Sequence, residues 1–124
     1  MELISTNPRT NYSLFSLVLI SVGTSLYRKI EYNKLVIDED FYKSKEQIQL
    51  ISLLSFIEFI AYLENMQLIS LADVDNIFGY YIMRVYNNAN VRKYRDALRE
   101  LDNSSSVSFP NLEILSNKLK LLKE

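Results

Sequence analysis

The sequence predicts an all-α fold, a compact bundle of about five helices, and three observations predict it. Apolar residues recur at spacings of three and four in successive segments. The 124 residues include only two Gly and two Pro, too few for the frequent turns of a β-sandwich or barrel. Hydrophobic residues make up 48%, enough apolar area for one core to offset chain entropy in a chain of this length.

The chain reads as a flexible N-terminus over residues 1–10, followed by one helical domain over 11–124. The first helix is expected from about Asn11 to Tyr32. Phe15, Leu19, Val22, Leu26 and Ile30 fall on one face there, and Ser13, Ser21, Thr24, Arg28 and Glu31 on the other. Gly23, inside it, marks a possible close crossing of helices. Residues 33–43 read as a connection that carries the acidic run Asp38-Glu39-Asp40. Ser44 is an N-cap candidate, with Gln47 as the partner of a capping box.

The second helix, about Lys45 to Glu64, is apolar nearly all round. Its polar or small positions Gln49, Ser52, Ser55, Glu58, Ala61 and Glu64 recur every three residues, drift around the axis and leave no solvated stripe. That pattern places it at the centre of the bundle. After a link at Asn65–Ile69, Ser70 with Asp73 marks another helix start. Val74, Ile77, Phe78, Tyr81, Ile82 and Val85 then keep the helical rhythm most closely of all. Asn87, Asn88 and Asn90 break it. A further helix runs from Val91 to Leu101, with Val91, Tyr94, Leu98 and Leu101 inward.

A Ser-rich stretch near 102–109 reads as a flexible loop. Phe109-Pro110 opens the last helix, whose seam is Leu112, Leu115, Leu119 and Leu122. The expected core comprises Phe15, Leu19, Val22, Leu26, Leu54, Ile57, Ile60, Ile77, Phe78, Tyr81, Leu98 and Leu115.

Composition narrows the chemistry. With no Cys and no His, disulfides, thiolate nucleophiles, the usual zinc sites and His-based acid–base catalysis are all excluded. A formal charge of −1 supplies no global attraction to nucleic acid or an anionic membrane. The opening Met-Glu-Leu-Ile-Ser has no basic n-region, which points to the cytoplasm. Leu14–Val22 and Leu50–Leu63 are shorter than a membrane span and interrupted by Ser or Glu, so no membrane insertion is expected.

Two constellations remain as candidate sites. Glu58 lies in Phe56-Ile-Glu-Phe-Ile-Ala-Tyr62, where its carboxylate needs a partner, with Arg28 or Arg84 as candidates. It could serve as a general acid or base, or fix helix register through an ion pair or a hydrogen bond to a Tyr hydroxyl. No second catalytic group has a recognisable pattern, and the register role is favoured. Arg84, Arg92, Lys93, Arg95 and Arg99 form a basic stretch in which Arg92, Arg95 and Arg99 share a helical face. With Tyr80, Tyr86 and Tyr94 nearby it could bind phosphates, an acidic protein surface, or solvent alone. Asp38-Glu39-Asp40 reads as a solvated turn, and Asp73-Val-Asp75 fails as a calcium loop because Ile77 stands where an oxygen ligand is required. No Gly-rich phosphate loop or dinucleotide fingerprint occurs. No cofactor and no metal are therefore expected.

Asp40-Phe-Tyr, Phe56-Ile-Glu-Phe-Ile-Ala, Ile77-Phe-Gly and Phe109-Pro-Asn-Leu-Glu113 occur in this order between Leu26 and Leu119. In this the chain resembles a set of small bacterial helical domains of unknown function, some preceded by a membrane helix. The resemblance implies a helical bundle without an established activity and supplies no catalytic residues. The expectation for function is a non-enzymatic protein-interaction module in the cytoplasm, a small subunit or an inhibitor encoded by a mobile element. It would bind a protein partner or self-associate. The alternative is a nucleic-acid-binding protein that uses the Arg84–Arg99 face.

Overall fold

The computed structural model describes residues 24–101 and 109–123. The expected N-terminal arm, the earlier part of the first helix with Phe15, Leu19, Val22 and Gly23, and the Ser-rich loop up to residue 108 lie outside the described residues. Those that are described form five helices and no strand. These are α1 (Thr24–Glu31), α2 (Lys45–Asn65), α3 (71–87), α4 (Ala89–Leu101) and α5 (Pro110–Leu122). The protein is all-α, a bundle around one core.

Helix starts follow local chemistry where a side-chain oxygen is available. Ser44 Oγ accepts from Gln47 N at 3.2 Å, and Ser70 Oγ accepts from Asp73 N at 3.1 Å. Each satisfies one of the donors that a first helical turn leaves unpaired. The Gln47 side chain departs from the expected box. Its Oε1 takes the Lys43 N–H, one residue before the cap, and its Nε2 donates to Tyr94 Oη at 2.9 Å. A local cap is thereby tied to α4.

The asparagine cluster between α3 and α4 is a corner rather than a simple break. Asn88 is buried, and its Oδ1 accepts from Asn90 N and Val91 N, both at 3.0 Å, which starts α4 at Ala89, two residues before the position expected. Its Nδ2 donates to Ile30 O, and Asn90 Nδ2 donates to Leu35 O. Asparagine can cap one chain segment with its oxygen and hold another with its nitrogen, and this corner uses both.

Helix α3 contains a feature that periodicity did not reveal. Between Leu71–Val74 and Tyr80–Asn87, residues Asp75–Gly79 form a π-helical turn. The widened turn brings Asp75 over Gly79: a Cβ on that glycine would lie 2.5 Å from Asp75 Oδ1. Val74, Phe78, Ile82 and Val85 are buried along this helix, whereas Ile77 and Tyr81 are only partly so.

The core joins these faces. Leu26 and Ile30 of α1, Leu50, Leu54 and Ile57 of α2, Val91 and Tyr94 of α4, and Leu112, Leu115 and Leu119 of α5 are all buried in it. Leu35 and Phe41, from the connection between α1 and α2, are buried as well. That segment is therefore part of the core and not merely a linker. Leu98 packs at the margin, and Leu122 is exposed, so the α5 seam ends at Leu119.

Packing sets the orientations. Tyr27 meets Tyr81 edge to face at 5.7 Å, and Asn88 reaches Ile30, so α1 runs alongside the second half of α3. The most extensive helix pair is α2 with α5.

Candidate functional site

The two faces of α2 differ in a way that its composition conceals. Leu50, Leu54, Ile57, Ala61 and Glu64 form the buried strip, flanked by Leu53, Ile60 and Leu63. On the other side Ile48, Ser52, Ser55, Phe59, Tyr62 and Met66 are exposed. Their spacings of three and four put them on one helical face. The sequence reading of a helix buried all round is thus corrected: the helix has a solvated side, but that side is apolar rather than polar.

Ile48 is 65% exposed, Phe59 54% and Met66 54%. At 1.5 Å per residue the row extends about 27 Å along the surface. Single exposed apolar residues are ordinary, whereas Phe59, Tyr62 and Met66 form a cluster at helical spacing, with Ile48 beyond the two serines. Ser52 and Ser55 lower the middle of the ridge between Ile48 and Phe59. By length and composition α2 could also cross a membrane, although core helices meet the same criterion.

Glu58 turns to the first turn of α5. Its Oε1 accepts from Leu112 N at 2.8 Å, and its Oε2 accepts from Asn111 N at 3.2 Å and Asn111 Nδ2 at 2.7 Å. The cap position of α5 is Phe109, which has no side-chain acceptor and a left-handed φ of 44°, and Pro110 has no N–H to satisfy. The carboxylate supplies the missing cap from another helix and places negative charge at the positive end of the α5 dipole. The expected pairing with Arg28 or Arg84 does not occur. Arg28 is exposed, and Arg84 donates to the Glu31 carbonyl at 3.3 Å. A second acidic residue of α2, Glu64, receives Lys118 of α5 at 2.8 Å.

The basic stretch is divided by the fold. Arg95 is buried, with its guanidinium carbon 4.5 Å from the centroid of the Tyr86 ring. Its Nη2 donates to Tyr86 O at 3.1 Å, and its Nη1 lies 3.6 Å from Glu113 Oε1. Burial lowers the Arg95 pKa, opposed by Tyr86 and Glu113. Such a cation is held by a ring face, a carbonyl and a carboxylate, and a bound phosphate could not reach it without opening the core.

Arg99 also pairs with Glu113, at 2.8 Å. Arg92 and Lys93 remain exposed, while Arg84 belongs to a different cleft beside α5. The proposed face of Arg92, Arg95 and Arg99 is therefore corrected, since Arg95 lies on the inner seam with Val91 and Leu98. Those spacings of four and three carried the signal in the sequence. The exposed ridge had no comparable signal, because nothing in the α2 pattern favours one apolar face over another.

No family model matches the chain, and neither the curated proteins nor the solved structures contain a match to it.

Proposed function

We propose that the protein is a non-enzymatic interaction module that receives an apolar face of a protein partner along the outer ridge of α2. The observation that supports this reading is the row Ile48, Phe59, Tyr62 and Met66, which is exposed although it lies on the same helix as the core residues Leu50, Leu54 and Ile57. The ridge, with its serine waist, suits an amphipathic helix whose apolar seam packs at three-four spacing. A small cytoplasmic subunit or inhibitor would work this way, and a second copy of the chain is the simplest alternative occupant.

The chemistry available agrees with a binding role. The chain has no His and no Cys, and the Glu58 carboxylate is occupied by the first N–H groups of α5. The nucleic-acid alternative has less support, because Arg95 is enclosed and Arg99 is paired with Glu113.

The test is capture of a partner from cells that make the protein, with wild type compared against Phe59→Glu/Tyr62→Glu. The variant should keep its helical circular dichroism and its cooperative melting, because both positions are exposed. Wild type should retain a protein that survives nuclease treatment, and the variant should lose it. Equal capture by both, or capture of nucleic acid alone, would overturn the proposal. A partner that proves to be the chain itself appears as dimerisation in size exclusion, which the double variant should abolish.

A further inference from the structure

A cleft of about 660 Å³ opens between the end of α1, the second half of α3 and the last turn of α5. Its size is within the range of sites for small organic ligands. Its walls carry Arg84, Lys120 and Lys123, together with Asn33, Asn87 and Tyr80, and no Asp or Glu lines it. Met83 and Leu119 make its apolar part.

Two of the three cations in this cleft differ from the cations that bridge segments elsewhere in the bundle. Lys29, Arg95, Arg99 and Lys118, the cations that pack between segments, each have a carboxylate partner. Among the described residues, neither Arg84 nor Lys120 takes part in an ion pair. Arg84 is placed by the Glu31 carbonyl and by the Tyr80 ring, whose centroid is 5.6 Å from its guanidinium carbon. Lys120 Nζ lies 5.4 Å from the centroid of the Tyr86 ring. Neutral groups thus contact both cations, and neither has a carboxylate partner among the described residues. Lys123 is paired loosely, 3.5 Å from Asp75 Oδ1.

Helix ends attract cations, and these three residues belong to or follow the last turns of α3 and α5. The dipole does not require that they converge on one cleft with asparagine amides and without a carboxylate in its wall. We infer that this cleft binds the phosphate group of a small ligand. Arg84 offers a planar fork for two phosphate oxygens, and Lys120 and Lys123 offer point charges. The asparagine amides add neutral donors. This inference is independent of the α2 ridge.

Isothermal titration of the full chain with inorganic pyrophosphate tests it. One site per chain is expected, with a Kd below about 1 mM that weakens as salt rises. Arg84→Gln/Lys120→Gln should weaken binding by about tenfold or more while circular dichroism stays unchanged. Lys120→Gln alone, at an exposed position, gives the same direction of change if the double variant does not fold. Arg92→Gln/Lys93→Gln removes two exposed charges outside the cleft and should leave the affinity unaltered. Phosphatidylcholine vesicles containing phosphatidic acid form a second arm: binding to pyrophosphate alone assigns a soluble ligand, and binding to both assigns a lipid headgroup. Absence of saturable pyrophosphate binding by folded protein, or equal weakening in the Arg92/Lys93 control, would overturn the inference.

Discussion

The inner and outer faces of α2 carry side chains of similar greasiness and opposite fates. On the inner side Leu50, Leu54 and Ile57 are sealed in the core, and the acidic residues Glu58 and Glu64 are anchored to α5. On the outer side Ile48, Phe59, Tyr62 and Met66 face solvent. In most surface helices charge marks the solvated face. Here Glu58 and Glu64 turn instead to the neighbouring helix α5, and the exposed side of the middle and end of α2 carries apolar and serine side chains.

The largest expected effect lies on the inner face. Leu54 is fully buried. Leu54→Ala should lower unfolding free energy by about 2–5 kcal/mol, measured by urea denaturation with unchanged slope. A loss below about 1 kcal/mol would mean that this face packs far more loosely than its burial implies.

Glu58→Ala should cost about 1–2 kcal/mol, because it removes the cap of α5 and leaves its first N–H groups without an acceptor. The loss should appear as early hydrogen exchange at Asn111 and Leu112. Glu58→Gln keeps one acceptor oxygen and should restore part of that protection. Equal exchange in all three proteins would show that α5 starts without this carboxylate.

This cap also shows what could be read from the sequence. Ser44 and Ser70 were legible because a cap and its partner lie three residues apart, whereas Glu58 reaches across 53 positions to Asn111. Its need for a partner was visible in its apolar surroundings; the identity of that partner depended on tertiary packing. The five helices and most of the core followed from periodicity. The π turn at Asp75–Gly79 did not, since one extra residue in a turn barely disturbs a three-four rhythm. Leu35 and Phe41 were missed because core residues in a connection have no period to reveal them.

A smaller effect tests the side of the bundle where α1 packs. Burial, first, and then Glu31 raise the Tyr27 pKa above its ordinary value. The unfolded chain therefore loses this proton at lower pH than the folded one. The corresponding stability is fully present below about pH 10 and is lost as pH rises beyond it. In Tyr27→Phe the decline above that pH should be shallower than in wild type, as followed by urea midpoints. Identical slopes would remove Tyr27 from the account of alkaline unfolding.

The smallest stability change is expected on the ridge. Phe59→Ala should alter unfolding free energy by no more than about 0.5 kcal/mol, because an exposed side chain gives up little on truncation. Set against Leu54→Ala, five residues away, that contrast sharpens the distinction between the two faces. A cost of several kcal/mol would show that the ridge supports the fold.

Whether this ridge receives a protein is tested most directly by site-specific photo-crosslinking in cells that make the protein. A photoreactive amino acid at position 59 should give one discrete protein adduct, and the same group at Arg92, on the exposed side of α4, should give none. Discrete adducts at position 92 with none at position 59 would contradict the account.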